Sequence, residues 1–109
     1  MEDKMLNDSR VFDLVRNENM AQLIKWKVQN RSQFEWLAYL VEEVGELSRN
    51  IQQEYYLECE ADKVVEEAIQ VATLSLKIVE MYLSLCDKRG IKLKLDSLGK
   101  GGKIEWELS

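Results

Sequence analysis

The sequence predicts an all-α fold: an antiparallel helical bundle that is completed by association with further copies and followed by a small C-terminal β-hairpin. None of the 109 residues is proline, so nothing forces a break in long helices. Apolar residues recur at helical spacing along three segments of residues 1–90. Residues 91–109 change to strict alternation around a glycine-rich turn, which is typical of a hairpin. We therefore expect a helical domain over residues 1–90 and a C-terminal extension over residues 91–109.

Composition narrows the possible function. The net charge of −5 and the pI near 4.8 argue against a nucleic-acid-binding surface. Histidine is absent, which leaves carboxylates as the available acid–base groups. Cys59 and Cys86 form neither a zinc pattern nor a disulfide framework, and reduced thiols indicate a cytoplasmic protein. The N-terminus has no apolar signal region, and no apolar run is expected to approach the length of a membrane span, so no membrane partner is predicted.

The first predicted helix runs from Ser9 to about Val28, where apolar side chains form one stripe. Asn17 and Asn19 are weak helix formers that could divide it into two pieces. Its amphipathic pattern predicts one face packed against the rest of the bundle.

Basic and aromatic residues near and after the end of this segment have two interpretations each. Lys25, Lys27 and Arg31 could pair with the carbonyl end of the helix or contact a phosphate. Trp26 and Trp36 could stack on a nucleobase or pack in the core beside the apolar stripes. The sequence leaves both choices open.

A capping box predicts the start of the second helix, since Ser32 is followed three residues later by Glu35. The core stripe is predicted at Phe34, Leu37, Val41, Val44, Leu47 or Ser48, and Ile51. An adjacent stripe contains Tyr39, Glu43, Glu46 and Asn50. Residues 52–62 are polar and weakly patterned, so they are predicted to connect the second helix to the third.

The third helix is predicted from about Ala61 to Arg89, because Gly90 follows two basic residues as a C-terminal stop signal. Apolar residues surround most of its circumference, and such a helix is normally buried on all sides. Two other helices cannot cover it, which predicts a homodimer or homotetramer. Lys77 lies two turns beyond Gln70 and could face a phosphate or the solvent.

Acidic residues cluster in the middle of the second helix. Glu46 lies about 40° from Glu42 and about 60° from Glu43 around the axis, so the three share one arc. Like charges at this spacing cost a few tenths of a kcal/mol each, which a divalent cation would offset; a solvated acidic face is the plainer alternative. Gly45 costs about 1 kcal/mol relative to alanine in a helix interior. A glycine there is best explained if another group must approach the backbone closely.

The same layout recurs in the third helix, where Glu66 and Glu67 are followed by Gln70 in the place of Glu46. Two helices with matched acidic arcs could face each other and enclose a metal ion. Their side chains offer oxygen ligands suited to Mg²⁺ or Mn²⁺, and no nitrogen or sulfur for zinc.

These two motifs carry a family resemblance. Glu42-Glu43-x-x-Glu46, followed after twenty residues by Glu67-x-x-Gln70, resembles the MazG-like nucleoside triphosphate pyrophosphohydrolases, whose pattern is EExxE followed by ExxD. The resemblance covers residues 23–90, and the C-terminal extension lies outside it. Gln70 departs from the pattern, because the family has aspartate there; a neutral amide still coordinates Mg²⁺ through its oxygen but removes one negative charge.

The resemblance implies a MazG-like helical bundle and Mg²⁺-dependent hydrolysis of an NTP or dNTP to the monophosphate and pyrophosphate. The expected metal ligands are Glu43, Glu46, Glu67 and Gln70, with Mn²⁺ as a possible substitute for Mg²⁺. Glu42 is the candidate base that orients the attacking water, although Glu42 or Glu66 could be a plain surface residue. The candidate substrate contacts are Trp26, Arg31 and Lys77. Gln70 also supports an alternative function of a different kind, in which the protein is a non-catalytic helical oligomerisation module that binds nucleotide or metal without turnover.

Overall fold

The computed structural model describes residues 1–57, 60–95 and 98, and contains three helices: α1 (Ser9–Trp26), α2 (Gln33–Leu57) and α3 (Ala61–Arg89). α1 and α2 each pack against α3, and the described residues show no packing between α1 and α2. No strand occurs in the described part of the chain. The predicted all-α class is therefore confirmed for those residues.

Local capping chemistry sets where α1 and α2 begin. The Asp8 side chain accepts a hydrogen bond from the Arg10 backbone N–H at 3.0 Å and caps α1. At the start of α2, the Glu35 N–H donates to Ser32 Oγ and the Ser32 N–H donates to Glu35 Oε1, both at 3.2 Å. This reciprocal pair satisfies two backbone donors that the helix leaves free. The predicted capping box is confirmed.

The predicted range of α3 is also confirmed at both ends. Gly90 has φ +66° and ψ +24°, a left-handed conformation that favours glycine. The Ile91 N–H then donates to the Cys86 carbonyl at 2.9 Å, which closes the helix end in the manner of a Schellman motif.

The predicted connection over residues 52–62 was wrong in part, and the possible break in α1 does not occur. α2 extends to Leu57, so residues 52–57 are helical and do not form the connection predicted over 52–62. Those six residues contain neither glycine nor proline, and their glutamine, glutamate and leucine are good helix formers. α1 passes through Asn17 and Asn19 without a break, because two weak helix formers are tolerated inside a helix that packs on a neighbour.

α2 packs on α3 through a different stripe from the one predicted as core. Trp36 is buried, and Leu40, Glu43 and Leu47 are half-buried along the same face. The predicted core stripe stays 46–73% exposed at Phe34, Leu37, Val41, Val44 and Ile51. We call these five residues the α2 outer stripe. Within one chain the large Trp36 side chain fixes which face of α2 meets α3, and the outer stripe has no cover.

α3 lies at the centre of the fold and is nevertheless incompletely covered. Thr73, Leu74 and Cys86 are buried, and the Thr73 hydroxyl is satisfied by the Ile69 carbonyl at 2.7 Å. Val65, Leu76, Val79 and Tyr82 remain 45–54% exposed. The two neighbouring helices thus leave part of its apolar surface open in a single chain, as the sequence predicted.

By length and composition alone, α3 would also be able to cross a membrane. Its most apolar stretch has a mean hydropathy of 1.4, with 17% of that stretch buried. The expectation that no apolar run approaches the length of a membrane span was therefore wrong. A helix at the centre of a soluble bundle meets the same test, so this composition is weak evidence for a membrane.

The predicted hairpin lies largely outside the described residues. Residues 91–95, which were expected to form its first strand, have no regular secondary structure. The turn and the second strand fall within residues 96–109, of which only Leu98 is described.

Candidate functional site

The two acidic motifs meet where α2 crosses α3. Glu43 lies on the face of α2 that is turned to α3, opposite Glu67 and Gln70. The Gln70 amide nitrogen donates to Glu43 Oε2 at 2.8 Å and to Glu67 Oε2 at 3.2 Å, the amide orientation being the one that satisfies all three groups. We call these three residues the carboxylate–amide cluster. The repeated spacing of the two motifs therefore does bring both helices' polar groups together.

Burial and neighbouring charge raise the pKa of Glu67 from its ordinary value of 4.5 to about 7. Burial is the largest cause, followed by the hydrogen bond with Glu43 and by the negative charges of Glu43, Glu46 and Glu66. Near neutral pH, Glu67 consequently carries a proton in a substantial fraction of molecules.

Glu46 is not part of this cluster. Its carboxylate accepts a hydrogen bond from Arg49, one turn further along α2, with both side chains partly exposed. Accordingly, the described residues hold no group of three or more acidic, cysteine or histidine side chains close enough to bind one ion. Arg49 was missed at the sequence level, although an acid and a base at i and i+3 on a helix are a recognisable signal.

The donor set of the cluster suits Mg²⁺. This ion usually takes one or two carboxylates from the protein and fills its octahedron with water and substrate phosphate. Glu43 and Glu67 supply the carboxylates, and Gln70 supplies an oxygen once its amide turns over about a soft terminal torsion. Glu43, Glu67 and Gln70 therefore lie close together, and their role as metal ligands stays a prediction.

The remaining residues of the first motif face outward. Glu42 is exposed and does not line the cleft beside the cluster. A Cβ on Gly45 would meet only the Arg49 guanidinium, at 3.9 Å. No group in the described chain needs the space beside Gly45, so a close approach, if one exists, comes from outside this chain.

A cleft of about 560 Å³ opens between the three helices next to the cluster. We call it the interhelical cleft. Its polar and aromatic lining consists of Glu18, Gln22, Lys25, Trp26, Gln29, Arg31, Trp36, Tyr39, Glu43 and Gln70. It therefore combines two members of the cluster with two cations and three aromatic rings.

Arg31 and Trp26, two of the predicted substrate contacts, both line this cleft. The Arg31 guanidinium lies 5.0 Å from the centroid of the Tyr39 ring and also contacts Glu35 at 3.5 Å. Trp26 is 57% exposed, with Lys25 Nζ 4.7 Å from its ring centroid. Trp36 is buried, which favours the core interpretation of that residue.

Lys77 lies elsewhere. It is half-buried between α3 and α1, and its Nζ donates to Gln22 Oε1. Burial lowers the pKa of Lys77, and the charge of Glu18 acts in the opposite direction. Lys77 is thus partly exposed and is not among the residues that line the interhelical cleft.

Comparison of the chain with models of known protein families, with curated proteins and with solved structures finds no match. The MazG-like resemblance consequently rests on the two motifs and their spacing.

Proposed function

We propose that the protein is a MazG-like hydrolase that cleaves a nucleoside triphosphate, NTP or dNTP, to the monophosphate and pyrophosphate with Mg²⁺. The observation that carries this proposal is the convergence of Glu43, Glu67 and Gln70 beside the interhelical cleft. An all-oxygen donor set next to a cleft with cations and aromatic rings is the chemistry that a metal–triphosphate complex requires.

The cluster would hold the cation through Glu43, Glu67 and Gln70. Bound there, Mg²⁺ supplies charge neutralisation for the phosphates and a bound water of lowered pKa. Loss of the proton from Glu67 restores its full negative charge toward the ion. Glu46 contributes negative potential from its position beside Arg49, and becomes a ligand only if that ion pair opens.

The rest of the cleft would hold the substrate. Arg31, placed by Tyr39 and Glu35, directs a planar cation toward phosphate oxygens. Trp26 offers an exposed ring on which a nucleobase can stack. Glu42 remains the proposed base; because it does not line the cleft in which the phosphates would lie, this role requires its side chain to reach the attacking water from outside the cleft.

The exposed apolar surface supports a homodimer or homotetramer as the active form. Fully burying one Val, Leu, Ile or Phe side chain contributes about 1.5–3 kcal/mol. Covering the α2 outer stripe at its observed exposure would therefore contribute about 4–8 kcal/mol per chain. Two chains together would gain enough to offset much of the free-energy cost of association.

A screen of the common NTPs and dNTPs with Mg²⁺ and with Mn²⁺ tests this function. We expect pyrophosphate and the monophosphate as the only products. Glu67→Gln should abolish turnover, while Glu66→Gln, the same change at the exposed neighbouring residue, should retain most of it. Orthophosphate as the first product, or equal loss in both variants, contradicts the proposal.

A second candidate is the non-catalytic helical module that binds nucleotide or metal without turnover. The observation in its favour is that the Gln70 amide already satisfies Glu43 and Glu67, while Arg49 pairs with Glu46. A cluster neutralised in this way is stable without a cation. Nucleotide binding with no product from any nucleotide in the screen would establish this alternative.

A further inference from the structure

A chain of hydrogen bonds runs from Lys77 on α3, outside the interhelical cleft, to Gln22 and Glu18 on α1, which line the cleft. Lys77 Nζ donates to Gln22 Oε1, and Gln22 Nε2 donates to Glu18 Oε1 at 2.9 Å. All three side chains are half-buried. Within the described residues, the Lys77–Gln22 bond is the one side-chain hydrogen bond that links α1 to another helix.

The donors and acceptors in this series of hydrogen bonds can be arranged in only one direction. A lysine ammonium offers donors and no acceptor, so Gln22 must turn its oxygen toward Lys77. The NH₂ group of the same amide must then face the opposite side, where the Glu18 carboxylate accepts. Lys77 thereby orients Gln22, and Gln22 in turn holds Glu18 at the cleft as a hydrogen-bond acceptor. A carboxylate has room for further donors, since its two oxygens accept about four hydrogen bonds.

Charge decides which part of a nucleotide meets Glu18. Phosphates are repelled by a carboxylate and attracted to Arg31, Lys25 and the cation at the cluster. The sugar or the base can then lie at the α1 wall, and of these two only the base differs between the common nucleotides. Cytosine, adenine and guanine carry an exocyclic amino group that donates to a carboxylate. Uracil and thymine have a carbonyl oxygen in the place of the cytosine amino group, which repels a carboxylate, and their N3–H is the one base donor that they retain.

We propose that Glu18 is the base-recognition residue of the interhelical cleft and selects nucleotides whose base carries an amino group over those of uracil and thymine, with Gln22 and Lys77 as positioning residues. This inference rests on the nucleotide-binding cleft of the proposed function. It adds a specificity that neither the two motifs nor the cluster contains.

The test separates binding from catalysis. Tryptophan fluorescence is followed during titration with CMP and with UMP in EDTA, and kcat/KM is measured for CTP and UTP with Mg²⁺. A hydrogen bond to a charged acceptor corresponds to about a 10- to 100-fold preference for the cytosine nucleotide. Glu18→Gln should bring that ratio close to one, because an amide can pair with either base. Lys77→Met should reduce the ratio, whereas Lys77→Arg, which keeps a donor, should restore it. Asp13→Asn, the same charge change at an exposed site on α1, should leave it unchanged.

Each outcome is decisive. Equal binding of CMP and UMP, or a ratio that Glu18→Gln does not change, overturns the inference. Equal turnover of CTP and UTP also overturns it, while pyrophosphate release in the same assay leaves the proposed function standing. If no nucleotide is turned over, but CMP is preferred in binding and Glu18→Gln abolishes that preference, the inference is supported and the proposed catalysis is wrong. Failure of both monophosphates to bind overturns the inference together with the nucleotide site.

Discussion

Replacing Gln70 with glutamate should make the protein less stable than the wild type without Mg²⁺ and more stable than the wild type with Mg²⁺. In the apo protein above about pH 7, where Glu67 is mostly ionised, the change converts two hydrogen bonds, at 2.8 Å to Glu43 and 3.2 Å to Glu67, into two contacts between like charges. Hydrogen bonds to charged groups contribute about 1.5–3 kcal/mol each when buried. Because these side chains are only half-buried, we expect a destabilisation of about 1–3 kcal/mol for the pair.

If the cluster binds Mg²⁺ as proposed, the third carboxylate should become a ligand, and the effect on stability should change sign. Binding of a ligand to the folded state alone raises stability by mass action. We expect the affinity of Gln70→Glu for Mg²⁺ to exceed that of the wild type by about tenfold or more, since the negative charge missing from the site is restored. Gln70→Asp, which creates the residue of the family pattern, should tighten binding in the same direction.

Urea unfolding in EDTA and over a Mg²⁺ series measures both effects, with calorimetry for the affinity. Gln53→Glu is the matched control, since it makes the same change at an exposed site on α2. The reasoning is refuted if Gln70→Glu is as stable as the wild type in EDTA, or if Mg²⁺ stabilises the two proteins equally. Either result would mean that Gln70 does not bridge the two helices' carboxylates.

Three further outcomes are expected. The raised pKa of Glu67 contributes stability to the apo fold that is fully present below about pH 4.5 and is lost as the pH rises through 7. The free energy of unfolding of the apo protein should therefore fall over that range in the wild type, and fall less in Glu67→Gln. Identical pH profiles of the two proteins would contradict this. Sedimentation equilibrium at low micromolar concentration should show that the wild type is a dimer or tetramer. Val41→Asp, a change in the α2 outer stripe, should convert it to a monomer. A well-folded wild-type monomer of 12.8 kDa would contradict this expectation. Gly45→Ala should stabilise the apo protein by about 0.5–1 kcal/mol, since the added Cβ would meet only the Arg49 side chain, at 3.9 Å. If the variant is instead less stable than the wild type in urea unfolding, a second subunit contacts the backbone at this position.

Features controlled by local chemistry could be predicted from the sequence. Ser32 with Glu35, and Gly90 after two basic residues, act within one helical turn, and both helix termini form as expected. The meeting of Glu43 with Gln70 followed from periodicity, because two helices with the same register present corresponding faces to each other.

Features that depend on a choice between helix faces could not be predicted in this way. α2 carries two apolar stripes, and only packing shows that Trp36 faces α3 while Val41 stays exposed. Likewise, periodicity placed Lys77 on the same face as Gln70. The position of α1, which the sequence does not give, directs Lys77 to Gln22. The partner of Glu46 was within reach of sequence reasoning, since Arg49 lies three residues away.

The most direct test of the central claim is a single ³¹P NMR experiment with a nucleoside triphosphate and Mg²⁺ in ¹⁸O-labelled water. Attack of water at the α-phosphorus should give unlabelled pyrophosphate and a monophosphate that carries the ¹⁸O. Glu43→Gln and Glu67→Gln should remove both products while the helical circular dichroism signal is retained. Orthophosphate, label in the pyrophosphate, or full turnover in either variant would contradict the account.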